Sequence, residues 1–205
     1  MDDVIIRPAR KADVNVVVEL IYSSGPRAFD FVFSGNKKST SLDFLRYMFV
    51  REDVLFSYQQ HFVAELDGKV VGIIGAFTKK SMAGTMLATA LQIFRFFGAR
   101  GGLKNLFRGL KFEAKLVKPP LKGCFYLCHV GVSGEYQGQG IGEKMVKLME
   151  KRALGMRLKK LSLDVSVINP RAQQLYERLS FSVIREHSSY TDKLDNHRYM
   201  EFLLD

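Results

Sequence analysis

Cysteine is nearly absent from this 205-residue chain: only Cys124 and Cys128 occur. Four residues apart on one strand-like run, their Cα atoms would lie about 13 Å apart, too far for a disulfide. A disulfide-stapled secreted scaffold is therefore excluded, and a cytoplasmic location is the simplest expectation. No C-x-x-C pair and no clustered set of histidines and carboxylates occurs, so no metal site is expected. Met1-Asp2-Asp3 opens acidic and runs straight into a strand-like segment, which predicts no secretory signal peptide. Internal repeats and low-complexity tracts are missing too. With 47% apolar residues the chain has an ordinary globular composition, and one domain spanning residues 1–205 is expected.

Acidic residues are also missing from one place. Between Lys79 and Lys122 there are ten basic residues and a single acid, Glu113, so this segment holds +9 of the net +10. Its longest uncharged run, Ser81 to Phe94, has 14 residues and is too short to span a bilayer. Leu87, Ala90, Leu91, Phe94 and Phe97 recur at helical spacing, and so do Leu103, Leu106, Phe107 and Leu110. Between them, Gly98 to Gly102 predicts a break, and Pro119-Pro120 predicts the end of the segment. Lys104, Arg108, Lys111 and Lys115 share another helix face and are expected to point outward. A packed helical hairpin, a substrate lid, a surface for an acidic partner or an anionic membrane, and a homodimer contact all fit this pattern. Nucleic acid is disfavoured as a partner, because the phenylalanines lie on apolar stripes and are not interleaved with basic residues.

The strongest local signal is Gln137-Gly138-Gln139-Gly140-Ile141-Gly142. It follows the apolar run Phe125 to Val132 and precedes Ile141, Met145, Leu148 and Met149 at helical spacing. A strand, a glycine turn and a helix start together aim unpaired backbone N–H groups at one spot, where the helix dipole also favours an anion. A dinucleotide fingerprint fails, because its last glycine would fall on Glu143, and no P-loop string is present. The pattern [QR]-x-x-G-x-[GA] does fit, at Gln137, Gly140 and Gly142.

Other blocks accompany it in order. Ile6-Arg7-Pro8-Ala9 with Ala12-Asp13 reads as a strand leading into a helix, and Phe62 to Gly72 reads as a hairpin turning at Asp67-Gly68. Leu161, Leu163, Val165 and Val167 alternate with polar residues as a strand does. Asn169, Ala172, Leu175-Tyr176-Glu177, Leu179 and Phe181 follow. Together these blocks resemble the GNAT superfamily of N-acetyltransferases. Two positions depart from the family pattern: Ser180 stands where glycine is usual, and Gly134 where proline is frequent.

The resemblance implies a mixed α/β fold. A largely antiparallel sheet would contain a parallel, splayed fourth and fifth strand, and residues 79–122 would be a helical insertion between strands three and four. It implies transfer of acetyl from acetyl-CoA, as co-substrate, to a small-molecule or peptide primary amine within a ternary complex. The pyrophosphate would meet Gln137, Gly138, Gln139, Gly140, Ile141 and Gly142, the pantetheine the backbones of Val130 and Val132, and Asn169 would touch the cofactor. Tyr176 would protonate the leaving sulfur. Asn169 before Pro170 is also a good helix cap, and Tyr176 also lies on an apolar helix face. No base is singled out. Strict alternation puts Val130, Cys128 and Tyr126 on one face and His129 on the other unless a bulge intervenes, while Glu65 is a second candidate. The lack of a carboxylate at 126 and 128 keeps open an alternative, a catalytically weak acyl-CoA sensor with a basic surface.

Overall fold

The apolar alternation and the glycine punctuation produce seven strands in one mixed sheet, ordered β1-β2-β3-β4-β5-β7-β6. In chain order the elements are β1 (Ile5–Pro8), α1 (Val14–Ser23), α2 (Pro26–Phe33), α3 (Ser41–Phe49), β2 (His61–Leu66), β3 (Lys69–Phe77), α4 (Lys79–Lys115) and β4 (Cys124–Val132). α5 (Ile141–Gly155), β5 (Lys160–Ser166), α6 (Pro170–Arg178), β6 (Ser182–His187) and β7 (His197–Leu203) complete the chain. The structure, a computed structural model, describes residues 4–33, 39–117 and 119–204. The acidic opening Met1-Asp2-Asp3 and Lys118 lie outside the described residues. Among the described residues, no helix is long and apolar enough to cross a membrane.

Local chemistry accounts for the joints. Asp67 and Gly68 both take positive φ, the conformation that a two-residue hairpin turn requires, and β2 pairs antiparallel with β3 across them. Thr40 with Asp43 and Thr78 with Ser81 form capping boxes at the starts of α3 and α4. Ser180 sits at φ 65°, so the serine does occupy the left-handed position just past α6, at a cost of about 1 kcal/mol relative to glycine.

β4 and β5 are parallel, and their register runs only from Cys124↔Lys160 to Leu127↔Leu163. Beyond Leu127 the two strands separate. On one face α5 covers the sheet over Ile141, Met145, Val146 and Met149; on the other, α1, α2, α3 and part of α4 enclose a phenylalanine-rich core.

The insertion is a helical hairpin, but its break is smaller than the expected Gly98 to Gly102. Gly98 alone leaves helical geometry, at φ 71° and ψ 177°, a region almost confined to glycine. Gly102 lies inside the returning arm, where a Cβ would come 2.6 Å from the Phe94 ring. The expected stripes are also rotated. Ile93, Phe96, Phe97, Leu106 and Phe112 pack on the core, whereas Leu87, Leu103 and Phe107 are 83%, 64% and 66% exposed. Arg108 does not point outward as expected: its guanidinium donates to the Phe31 carbonyl and lies over the Phe31 ring.

Candidate active site

Where β4 leaves β5, its backbone bulges. His129 adopts φ 52°, and the β3–β4 register slips between Ile73 and Gly75. Strict alternation would have kept Val130 on the face of Cys128 and turned His129 away. The bulge reverses this: Cys128 and His129 both line the cleft on the α2 side, while Val130 and Val132 pack toward α5. His129 and Val130 have no register partner on β3 or on β5. Gly131 is required sterically, since a Cβ there would lie 2.6 Å from the Leu20 carbonyl oxygen of α1.

The glycine loop follows. Gly138 and Gly140 both take positive φ, and Gly140 caps α5 without any side-chain cap. Among the hydrogen bonds of the described residues, none is donated by the backbone N–H groups from Gly138 to Glu143. They form an electropositive rim at a helix start. Gln137, Gly138, Gly140, Ile141 and Gly142 line the same cleft as Val130, Val132, Asn169 and Tyr176. Gln139 does not: its side-chain amide donates to the Glu135 carbonyl. Ile141 contributes backbone there, because its side chain is buried under the sheet. The Gln137 amide donates to the Val132 carbonyl and accepts from Arg171. Arg171 and Arg178, seven residues apart and on one side of α6, also line this end of the cleft. Neither was singled out from the sequence, where the one available signal was their seven-residue spacing on a helix. Paired cations and unpaired N–H groups suit a diphosphate.

Asn169 caps α6 by accepting from the Ala172 N–H, and it lines the cleft as well. Tyr176 is buried against Phe181, lines the middle of the cleft, and burial raises its pKa, so it stays protonated. Glu65 is not in the cleft; Arg7 holds its carboxylate at 2.7 Å.

Sequence reading also missed Asp164. It is the first β5 residue past the last β4 pair, on the face of Tyr126, whose hydroxyl donates to Asp164 Oδ2 at 3.0 Å. Asp164 Oδ1 is buried with no hydrogen-bond partner among the described residues. Burial raises this carboxyl to about 7. In the sequence it looked like the polar half of a strand alternation, and nothing local marked it.

His129 is held by a second histidine. His61 Nδ1 lies 2.7 Å from the Ser57 carbonyl, and His61 Nε2 lies 3.0 Å from His129 Nδ1. Burial holds His61 down to about 4 and His129 well below its ordinary value, so both rings are neutral at pH 7. A carbonyl only accepts, so His61 carries its proton on Nδ1 and accepts at Nε2. His129 must then donate from Nδ1, which leaves its Nε2 as a bare lone pair.

This geometry, a glycine loop at a helix start opening onto a splayed parallel pair, agrees with the comparisons. The family profile described as Acetyltransferase (GNAT) family matches residues 30–181. The chain belongs to the GNAT acetyltransferase family. Solved structures share its fold. An N-acetyltransferase from Staphylococcus aureus Mu50 is 19% identical, with 97% of this chain and 100% of that one covered and a TM-score of 0.69. The putative acetyltransferase yncA from Salmonella typhimurium, solved with its cofactor acetyl-CoA, is 16% identical, with 99% and 95% covered and a TM-score of 0.55. Rv2747 from Mycobacterium tuberculosis, solved in complex with CoA, is 14% identical, with 98% and 99% covered and a TM-score of 0.55. No curated protein matches the chain.

Proposed function

We propose that this GNAT protein is a CoA-dependent N-acyltransferase, moving acetyl from acetyl-CoA to a primary amine by direct attack in a ternary complex. The row of unpaired N–H groups from Gly138 to Glu143, open to the cleft that runs along the β4–β5 splay to Tyr176, carries this reading. Acetyl-CoA supplies an acetyl group already activated as a thioester. The loop, with Arg171 and Arg178, holds the diphosphate. The splayed edge of β4 at Val130 and Val132 orients the pantetheine, and an N–H of the bulge polarises the carbonyl. Tyr176 gives its proton to the sulfur as the C–N bond forms and the C–S bond breaks. The phenolate then recovers a proton from the nitrogen as the amide is completed.

A sensor that binds acyl-CoA without turnover is the second reading. It was motivated by the missing carboxylate on β4, and Asp164 supplies a carboxyl group to the same cleft from β5. That favours catalysis.

The test is thermal unfolding with and without acetyl-CoA, followed by thiol release against an amine panel. Ligand at about 100 times Kd adds roughly 2.7 kcal/mol of stability. No shift at millimolar acetyl-CoA would sink the reading, while a shift without thiol release would support the sensor.

A further inference from the structure

Beyond the acyl end of the cleft lies a cavity of about 210 Å³ between the sheet and the α2–hairpin layer. Most of its wall is apolar: Phe29, Val32, Phe33, Phe56, Phe77 and Met82. In a chain of net charge +10, none of the described residues lining it is a lysine or arginine, yet two carboxyl groups, Glu113 and Asp164, line it. The acidic, apolar chamber thus sits beneath the most basic segment of the protein. Asp164 and His129 line both this cavity and the cleft, so they stand at the mouth between the two.

What that mouth offers is acceptors. Asp164 Oδ1 is unpartnered, and the Ser57–His61–His129 chain fixes a bare lone pair on His129 Nε2. A ligand group with several N–H donors and a positive charge satisfies both at once, which a group made of acceptors alone does not. We propose that the acyl acceptor is a primary amine carried on an apolar body, its nitrogen held at the mouth by Asp164 and His129 and its body in the cavity beyond. This rests on the acyltransferase reading above and names its substrate class. Asp164 takes one proton from the ammonium, which frees the nitrogen lone pair for the attack, and passes the proton to solvent after turnover. On the cavity side the other titratable groups are Tyr126 and Cys128 from β4, His197 from β7 and Glu113 from the hairpin, none of them a cation at neutral pH. On the cleft side Tyr176, Asp195 and Arg27 also line the wall, and the Arg27 guanidinium is paired with Asp195 and donates to the Asp192 carbonyl.

The chamber continues between the hairpin arms, past Met82 and Gly109, to Thr85 and Asn105. Asn105 is 1% exposed, and neither its Nδ2 nor its Oδ1 has a partner among the described residues. A buried amide without partners is costly, so this end of the chamber is built for a polar group. An extended amine with a polar far end would reach it.

Binding can be separated from turnover by titrating protein saturated with CoA, which cannot transfer. The expected result is that 4-phenylbutylamine binds at least about tenfold more tightly than spermidine or a lysine-containing peptide, whose extra charges the apolar wall cannot solvate. Asp164→Asn and Gly109→Leu each weaken it at least about tenfold without changing CoA affinity. Gly109 lines both chambers, and a Cβ there meets only Val32 Cγ1 at 3.5 Å, so a leucine fills the passage without striking backbone. The two variants act at opposite ends, so a folding defect in one leaves the other informative. CoA binding with no preference for the apolar amine, or a preference unmoved by both variants, would overturn this inference alone. Absence of CoA binding would overturn the acyltransferase reading with it.

The outer face of the hairpin carries a second, independent inference. Leu87, Leu91, Leu103 and Phe107 are exposed there, and Lys79, Lys80, Arg95, Arg100, Lys104 and Lys115 are exposed on the same two arms. A second copy would bring a +9 segment against another of the same sign. Apolar side chains flanked by cations match an anionic lipid surface instead, and we infer that the hairpin docks there. Protein should co-sediment with phosphatidylserine-rich vesicles at low salt and much less with phosphatidylcholine vesicles. The triple change Leu87→Ser, Leu103→Ser, Phe107→Ser should abolish binding. Equal binding to both vesicles, none to either, or a concentration-dependent dimer lost in the triple variant would overturn the inference.

Discussion

The hairpin and the cavity beneath it share residues but differ in chemistry. Outside, the arms present lysine, arginine and bare leucine; inside, the same arms present Glu113, Asn105 and a mostly apolar wall. Lys79, Lys80, Arg95, Arg100, Lys104 and Lys115 are displayed to the exterior, and the described residues of the inner side include no lysine or arginine. One helical insertion can serve two ligands of opposite polarity because a helix separates its faces by about 100° per residue.

Several changes would break or sharpen that contrast. The largest effect belongs to the cofactor loop, which the acceptor chamber depends on and the outer face does not: Gly140→Asp puts a carboxylate beside the helix start and a side chain at φ 77°, and should abolish the acetyl-CoA-induced rise in Tm. Next, Tyr176→Phe should lower kcat by roughly ten- to a thousand-fold with cofactor affinity retained. An unchanged kcat would return Tyr176 to an ordinary place among the core aromatics.

Asp164 gives a pH signature. Its folded-state pKa, about 7, lies above the unfolded value, so between about 4 and 7 the folded protein holds a proton that the unfolded chain does not. That contribution is fully present at low pH and is lost as pH rises through 7. Asp164→Asn should therefore raise Tm at pH 8 by a few °C, on the order of 2–4 °C per kcal/mol for a chain of this size, and by less at pH 5. His61, held down to about 4, has the opposite sign, since its contribution is lost as pH falls below the ordinary histidine range. The difference between variant and parent isolates the aspartate. A Tm difference independent of pH would remove Asp164 as a buried titrating group. The smallest effect is expected from the exterior: replacing Arg95, Arg100, Lys104 and Lys115 with glutamine should shift Tm by no more than about 1 °C, while vesicle binding at low salt falls.

The sequence revealed the parts whose signal is local. Asp67-Gly68, Asn169-Pro170 and Gly140 each do what their residue types require, and the strand alternation of Leu161 to Val167 placed β5 correctly. The acceptor end was illegible because it depends on non-local events. One extra residue in β4 brought His129 to the α2 side and set Val130 toward α5, and no residue type announces a bulge. Asp164 acquires its character only from Tyr126 and the walls that bury it. Gly102, read as part of a break, is instead a place where one arm presses on Phe94.

The ladder has one more consequence. Phe77 lies opposite Tyr126 in the β3–β4 pairing, so the 79–122 segment leaves the sheet and rejoins it at a single rung. In topological terms the hairpin is a pendant whose two attachment points already touch. Exchanging it for another pendant would recast the acceptor chamber and the outer contact together, while the loop at Gln137–Gly142, α5 and the splay keep their places. Selectivity in this molecule is thus a graftable unit, and the transfer chemistry is its fixed stock.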